Sequence, residues 1–524
     1  MLAGGLAIFI FLVTAFLQWA SIEGSIPNLV VSWILNGYLG WRYPIKSTDG
    51  QTTIPGCPYV YPDGQGNMAK FYNDMSKKWR SDYGPIYRIW NGTRPEVIVG
   101  CPENIKGIFQ DSGEHLKAPD MNAGWVVGEL MGKCLGLANQ SDWSRILVAM
   151  AEPFHQRAAP EYIELVEKRV KKAMAEVESK TDQLGQNGMV INPANEFLYL
   201  PFFILGDILY GSLDKEMEED LRSIALLRDQ LWKEGMSGGL ARYAIGRFVP
   251  GGRRRKLLSF HRRWKSFNDR AYKRAQSSGP ANAPVVSMYR SVSEGALTET
   301  ELLHTLDEVI FVNLDVTVGN FSWNPVFLAA HPEFQKKIHE EIQQARRGEG
   351  EAFSSWKAYL SSTSTLLMSS ILESSRLKPM ASFAVPQSCP SDRVVGGFVI
   401  PAHTEIVVDT DALNVENPAW GADRHEYNPE RFVGKSAVSW RYRFWRFGFG
   451  PRQCLGRHVV DILLKTLLAE IVDNYTLTPG WDEGNKEHKE WAKNPEVWMN
   501  LAIQPTVWKK REMHVQERGV LIRQ

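Results

Sequence analysis

The residue best equipped for chemistry is Cys454, in the run Phe447-Gly448-Phe449-Gly450-Pro451-Arg452-Gln453-Cys454-Leu455-Gly456, a glycine-rich stretch that opens into an apolar helical pattern. Gly448 and Gly450 permit a tight, bulged turn with amides pointing inward, and a helix N-terminus just past the cysteine favours negative charge on sulfur. A thiolate held in that way is a metal ligand. Arg452 is placed to meet an anionic partner such as a carboxylate. A dinucleotide loop fits poorly, because the glycines do not space as G-x-G-x-x-G and the residues before them are aromatic and basic where a β-branched strand is needed. The plain alternative is a buried free cysteine beside a turn.

These ten residues resemble the haem-binding loop of the cytochromes P450, Phe-Gly-x-Gly-x-Arg-x-Cys-x-Gly, with each fixed position filled. The resemblance implies a haem whose iron takes the Cys454 thiolate as axial ligand, with Phe447, Gly448, Gly450, Arg452 and Gly456 around it. It implies a mainly α fold with a small β region, in one large catalytic unit where length alone would suggest two to four domains. It also implies electrons from NADPH through cytochrome P450 reductase, with cytochrome b5 as an optional second donor. Trp143 matches the family's helix C and can offer its indole N–H to a haem propionate. Two departures remove propionate contacts: Leu147 and Gln387 stand where many members carry arginine, which leaves more of that charge to Arg452. Glu373 and Arg376 lie three apart on one helix face, close enough to pair. They match the family's Glu-x-x-Arg, and Pro429-Glu430-Arg431-Phe432 follows. In the family Glu373, Arg376 and Arg431 form a buried ion network that braces the haem loop.

The largest departure is Val312-Asn313-Leu314-Asp315-Val316-Thr317. The family's helix I usually reads Ala/Gly-Gly-x-Asp/Glu-Thr-Thr/Ser, and its acid and first threonine carry the protons that oxygen activation needs. Asp315 fits, but Val316 replaces that threonine and cannot hydrogen-bond. At 3.6 residues per turn Val312 and Val316 share one face, and Asn313 and Thr317 share the next. The oxygen side is then apolar, with Thr317 turned away by about one step. Three routes stay open: a π-bulge that turns Thr317 inward, water ordered by Asp315 and Asn313, or a polar group on the substrate. Asp315, Asn313 and Thr317 are therefore the candidate catalytic residues. The expected activity is oxygenation of a small organic substrate by a haem-thiolate monooxygenase. The layout resembles fungal P450s of secondary-metabolite pathways, and the Asn-x-Asp-Val-Thr string resembles members from diketopiperazine-type clusters. A haem-thiolate isomerase, dehydratase or oxidative coupling (desaturating) enzyme without net oxygen insertion is the rival, supported by Val316. A non-enzymatic haem protein or sensor is the third reading.

Other elements must carry these residues to one place. Residues 2–22 bear no charge and are long enough to span a bilayer. A signal peptide would have a shorter core preceded by Lys or Arg. The resulting division is a transmembrane helix in an anchor at 1–25, an interfacial segment and Pro-rich linker at 26–62, and a P450 catalytic domain at 63–524. Basic residues appear only afterwards, at Arg42 and Lys46, which puts the domain in the cytosol, as in a single-pass endoplasmic reticulum protein. The run from Ile26 to Trp41, interrupted by Pro27, Asn28, Asn36 and Gly37, reads as interfacial. The balance of 60 basic against 59 acidic residues argues against nucleic acid as a partner. Five cysteines without a CxxC pair read as reduced thiols.

Residues 86–99 predict a hairpin around Asn91-Gly92. Residues 111–142 read as a loop, which by its order resembles the family's segment over the haem and so implies Met121, Trp125 and Val126 as candidate pocket lining. The periodicity predicts a helix over 214–234, a Gly-rich loop over 235–252 that the resemblance implies is a lid, a basic helix over 253–274, and one long helix over 301–330. Of the basic helix, a solvated face is the plainer reading and contact with anionic lipid the other. Arg441, Arg443 and Arg446 suit a basic surface for an acidic electron donor, or stacking on their aromatic neighbours.

Overall fold

The structure, a computed structural model, describes residues 12–13, 15–16, 19–20, 22–65, 75–109, 111–181, 188–248, 252–277, 283–314, 316–348, 355–480, 501–502 and 504–511. It is mainly helical, with three small sheets at the margin of the helical body. The predicted hairpin forms from Ile86–Asn91 and Arg94–Val99, and Gly92 takes the positive φ of +58° that the tight turn needs. Arg94–Val99 then pairs in parallel with Glu405–Val408, which pairs antiparallel with Gln387–Ser388. This places Gln387 on the outer strand of that sheet.

The helical core is built around Arg457–Asn474 and Leu200–Tyr210. Every residue of Leu200–Tyr210 is buried, which is why so apolar an element carries no polar stripe. No single helix among the described residues is long and apolar enough to cross a membrane. Most of the proposed anchor at 1–25 lies outside the described residues.

The predicted helix over 301–330 is not continuous. It runs as Glu299–Phe311, a 3₁₀ turn at Val312–Leu314, and Val316–Ala330. A capping box between Thr298 and Glu301 starts the first piece. The Gly-rich lid contains short 3₁₀ turns, and its Gly239 N–H and Arg242 bond to Asp63 at 2.9 Å each. The basic helix Gly252–Ser277 turns its charge toward the preceding acidic helix Lys215–Met236. Arg253 and Lys256 pair with Glu234, Arg263 and Arg270 with Asp220, and Arg274 with Asp214. Much of the basic run is thus spent between helices, which neither a solvated face nor a lipid contact foresaw.

Ile26–Arg42 is one helix, not an interrupted run. Its polar residues form the docked face: Asn28 donates to the Tyr61 carbonyl at 2.7 Å, Asn36 to the Tyr59 carbonyl at 2.8 Å, and Ser32 accepts from the Tyr61 N–H at 2.9 Å. The opposite face, with Ile26, Leu29, Trp33, Ile34 and Trp41, is exposed. Spacing of three and four residues aligns that apolar stripe.

Candidate active site

Cys454 lies at the end of its loop, and Gly456 caps the helix Arg457–Asn474 that follows. Gly448 and Gly450 adopt φ of +83° and +74°, the left-handed conformations the sequence called for. The turn closes through the Cys454 N–H to the Phe447 carbonyl at 2.9 Å, and Gln453 donates to the Gly448 carbonyl at 3.1 Å. Phe449 anchors the loop edge-to-face against Phe109, Tyr442 and Trp445. A side chain at Gly450 would run into Ser112, so only glycine lets the loop seat.

The exposed surface of Cys454 faces a cavity of about 390 Å³. Burial pushes the thiol above its ordinary pKa, and the Gly456 N–H opposes that shift only in part. A sulfur in this position becomes a thiolate only beside a cation such as a metal.

Behind the loop, Glu373 and Arg376 are fully buried and joined by two hydrogen bonds of 2.8 Å. Arg431 reaches Glu373 at 3.4 Å and Asp423 at 2.8 Å. The brace continues through a residue the sequence did not signal. Arg376 donates to the Asn414 carbonyl at 3.0 Å, and the Asn414 amide exchanges hydrogen bonds of 2.8 Å with the Trp445 backbone. The ion network thus holds the root of the cysteine loop by backbone contacts. Removing one member of such a buried pair costs about 3–5 kcal/mol.

Arg452, Trp143, Leu147 and Gln387 all line the cavity, as does Lys117. Arg452 donates to the His115 carbonyl at 2.8 Å and to Asn139 at 3.1 Å, and its guanidinium lies 5.4 Å from the Trp143 ring. Its Nε is buried without a partner. Burial lowers the pKa of both Arg452 and Lys117, and neither forms an ion pair among the described residues. A lysine beside the arginine is what the sequence reading missed: with Leu147 and Gln387 apolar or neutral, Lys117 is the second cation on this wall. Its only sequence signal is a charge within the segment 111–142.

The other wall is the broken helix. Val312, Asn313, Val316 and Thr317 all line the cavity, so the 3₁₀ turn brings both faces inward. Thr317 does not point away: its hydroxyl donates to Asn313 Oδ1, and the Asn313 amide donates to the Val309 carbonyl. One turn on, Asn320 lines the cavity and accepts from Ser375 at 3.1 Å. Asp315 lies outside the described residues. Glu308, unremarked in the sequence, also faces the cavity; two acids in the apolar run Leu306-Asp307-Glu308-Val309-Ile310 were its signal.

Among the pocket candidates, Met121 lines the cavity, whereas Trp125 and Val126 belong to a short helix, Trp125–Met131, and pack in the core. That helix replaces part of the predicted loop. Arg446 is not free for a partner either, being buried and paired with Asp461 at 2.6 Å. Arg443 and Arg441 remain at the surface, with Arg441 over the Tyr442 ring.

The donor set suits a haem. It offers one thiol, an indole, two cations without a carboxylate partner among the described residues for the two propionates, and mostly apolar walls for the macrocycle.

A family model described as Cytochrome P450 matches residues 56–499. The chain is 40% identical to Cytochrome P450 monooxygenase aclC of Aspergillus oryzae, over 88% of this chain and 93% of that protein. It is 40% identical to Cytochrome P450 monooxygenase asaD of Aspergillus flavus, over 91% and 90%. To Cytochrome P450 monooxygenase gliC of Aspergillus fumigatus it is 35% identical, over 89% and 92%.

Proposed function

Since the chain belongs to the cytochrome P450 family of monooxygenases, we propose that it oxygenates a small organic substrate of fungal secondary metabolism, with Cys454 as the thiolate that would hold haem. The observation that carries this reading is the Cys454 sulfur on one wall of a cavity whose facing wall is the broken helix. Bound there, haem would supply the activation of O2, with electrons from NADPH through a membrane-bound reductase. The chain's own residues divide the remaining work. Arg452 and Lys117 would hold the propionates, and Trp143 would lend its indole N–H. Val312 and Val316 keep the oxygen side dry. Thr317 and Asn313 hold a proton at the Thr317 hydroxyl, beside the place a threonine at 316 would have occupied.

A carbon monoxide difference spectrum of the reduced protein tests the assignment. The red-shifted thiolate band should appear and should be lost in Cys454→Ser; its absence from the assembled parent would refute the haem-thiolate reading. Val316 favours a second reading, oxidation or rearrangement without oxygen insertion. Incubation with reductase, NADPH and ¹⁸O2 separates the two, because only the first leaves label in the product.

The apolar face of Ile26–Arg42 suits the surface of the endoplasmic reticulum membrane, where its indole rings would lie at headgroup depth and the catalytic domain on the cytosolic side.

A further inference from the structure

The first half of the broken helix, Glu299–Phe311, carries four carboxylates, at Glu299, Glu301, Asp307 and Glu308. Three have basic partners: Glu299 pairs with Lys265, Glu301 with Arg145 at 2.6 Å, and Asp307 with Arg228 at 2.9 Å. Glu308 forms no ion pair among the described residues, although it feels the charge of Lys117. It is also the one of the four that lines the cavity.

One oxygen of Glu308 accepts from the Gly136 N–H at 2.9 Å, and the Cys134 thiol, a weak donor, lies beside the carboxylate. A side chain at Gly136 would run into Glu308, so the glycine allows this approach. His304 and Thr305 accept from the Lys133 and Leu135 N–H groups at 3.1 and 3.2 Å, so the loop is already docked without Glu308. A carboxylate offers about four lone-pair positions, and those of Glu308 are not filled. An unpaired charge in an apolar wall is costly unless something brings it a donor. Lys117 and Arg452 both feel the charge of Glu308, and burial raises its pKa; once the two propionates engage those cations, Glu308 would keep no cation of its own among the described residues.

We propose that Glu308 is the specificity-determining anchor of the substrate, accepting a hydrogen bond from an N–H group, amide or ammonium, at the end of the molecule remote from the site of oxidation. This rests on the monooxygenase reading above. Glu308 lines the cavity on one side of the 3₁₀ turn at Val312–Leu314 and Thr317 on the other, so a nitrogen held at Glu308 leaves an apolar body over Val309 and Val312 and its far end near Thr317.

The test uses the full chain assembled with haem. N-hexylbenzamide and hexyl benzoate match in shape and differ by one N–H, and each is titrated by the shift of the haem Soret band. The amide should bind about tenfold more tightly than the ester, the margin expected for a hydrogen bond to a charged acceptor. In Glu308→Gln, which keeps an acceptor for Gly136, that ratio should fall to threefold or less. Protonated N,N-dimethylhexylamine distinguishes the two sources: a larger loss in Glu308→Gln for the amine than for the amide assigns an ammonium, the reverse an amide. An amide no tighter than the ester in the parent, or a ratio that survives Glu308→Gln, overturns the proposal. So does loss of haem from Glu308→Gln with an unchanged ratio, which would make Glu308 only the counter-charge of Lys117. The carbon monoxide band, recorded first on both proteins, separates failure of the haem-thiolate reading from failure of this one.

Discussion

At the cavity, the hydroxyl that matters is held by an amide. Val316 cannot donate a hydrogen bond, but Thr317 donates to Asn313 and both side chains border the cavity. A threonine tied to an asparagine can exchange its proton while staying oriented. Thr317→Ala should therefore lower product formed per NADPH consumed by roughly a hundredfold, the low end for a lost positioned proton donor, with a matching rise in released peroxide. Asn313→Ala should do the same, and the double variant should cost little more than either single one, because the two act as a unit. Peroxide release unchanged from the parent would take both residues out of the proton path. Cys454, Arg452, Trp143, Thr317 and Asn313 were legible because each sits in a motif with a fixed spacing. Lys117 and Glu308 were not, since neither the lone charge of Lys117 nor the adjacent acids Asp307 and Glu308 state which way a side chain faces.

Two elements changed character on folding. The break at Val312–Leu314 tightens the turn, so residues that a uniform helix would put on separate faces share one cavity. No proline or glycine marks it in the sequence. The second case is the parallel pairing of Arg94–Val99 with Glu405–Val408, which sets Glu96 opposite Glu405. Glu96 takes hydrogen bonds from Asn91 and Asn122 at 3.0 and 2.8 Å, while one oxygen of Glu405 is buried without a partner. Burial, then the neighbouring Glu96, raises the Glu405 pKa to about 8. Because the folded state holds this proton more tightly than the unfolded chain, stability is greatest at low pH and falls as pH rises from the ordinary carboxyl range through about 8. Glu405→Gln should match the parent near pH 5 and exceed it near pH 8 by about 3 kcal/mol, read as a smaller drop in Tm between those conditions. Equal pH dependence in the two proteins would show that Glu405 ionises freely. Strand pairing across three hundred residues decides which carboxylates meet, and local pattern does not record it.

For the whole molecule, the question is orientation. Ile26–Arg42 is locked to the linker by Asn28, Ser32 and Asn36, and Asp63, the residue just past that linker, binds the Gly-rich segment, so an apolar stripe and that segment share one support. In vesicles of the full chain, lipids brominated near the headgroup should quench Trp33 and Trp41 more strongly than lipids brominated deep in the acyl chain, and replacing both by Phe should remove most of that quenching. Stronger quenching from the deep position would mean a second span; none from either would mean that this face does not meet the membrane. The amino-acid sequence by itself determined the cofactor loop, the Glu-x-x-Arg brace and the mainly helical fold with its small sheets, because each rests on residues close together whose spacing obeys helix or turn geometry. Tertiary structure alone decided that Arg446 is spent on Asp461, that Asn414 ties the ion network to the cysteine loop, that Thr317 faces inward, and that Glu308 lines the cavity without an ion pair among the described residues. Those outcomes depend on which distant side chain arrives at each position, and a buried charge or amide takes its role from the partner that folding brings to it or withholds.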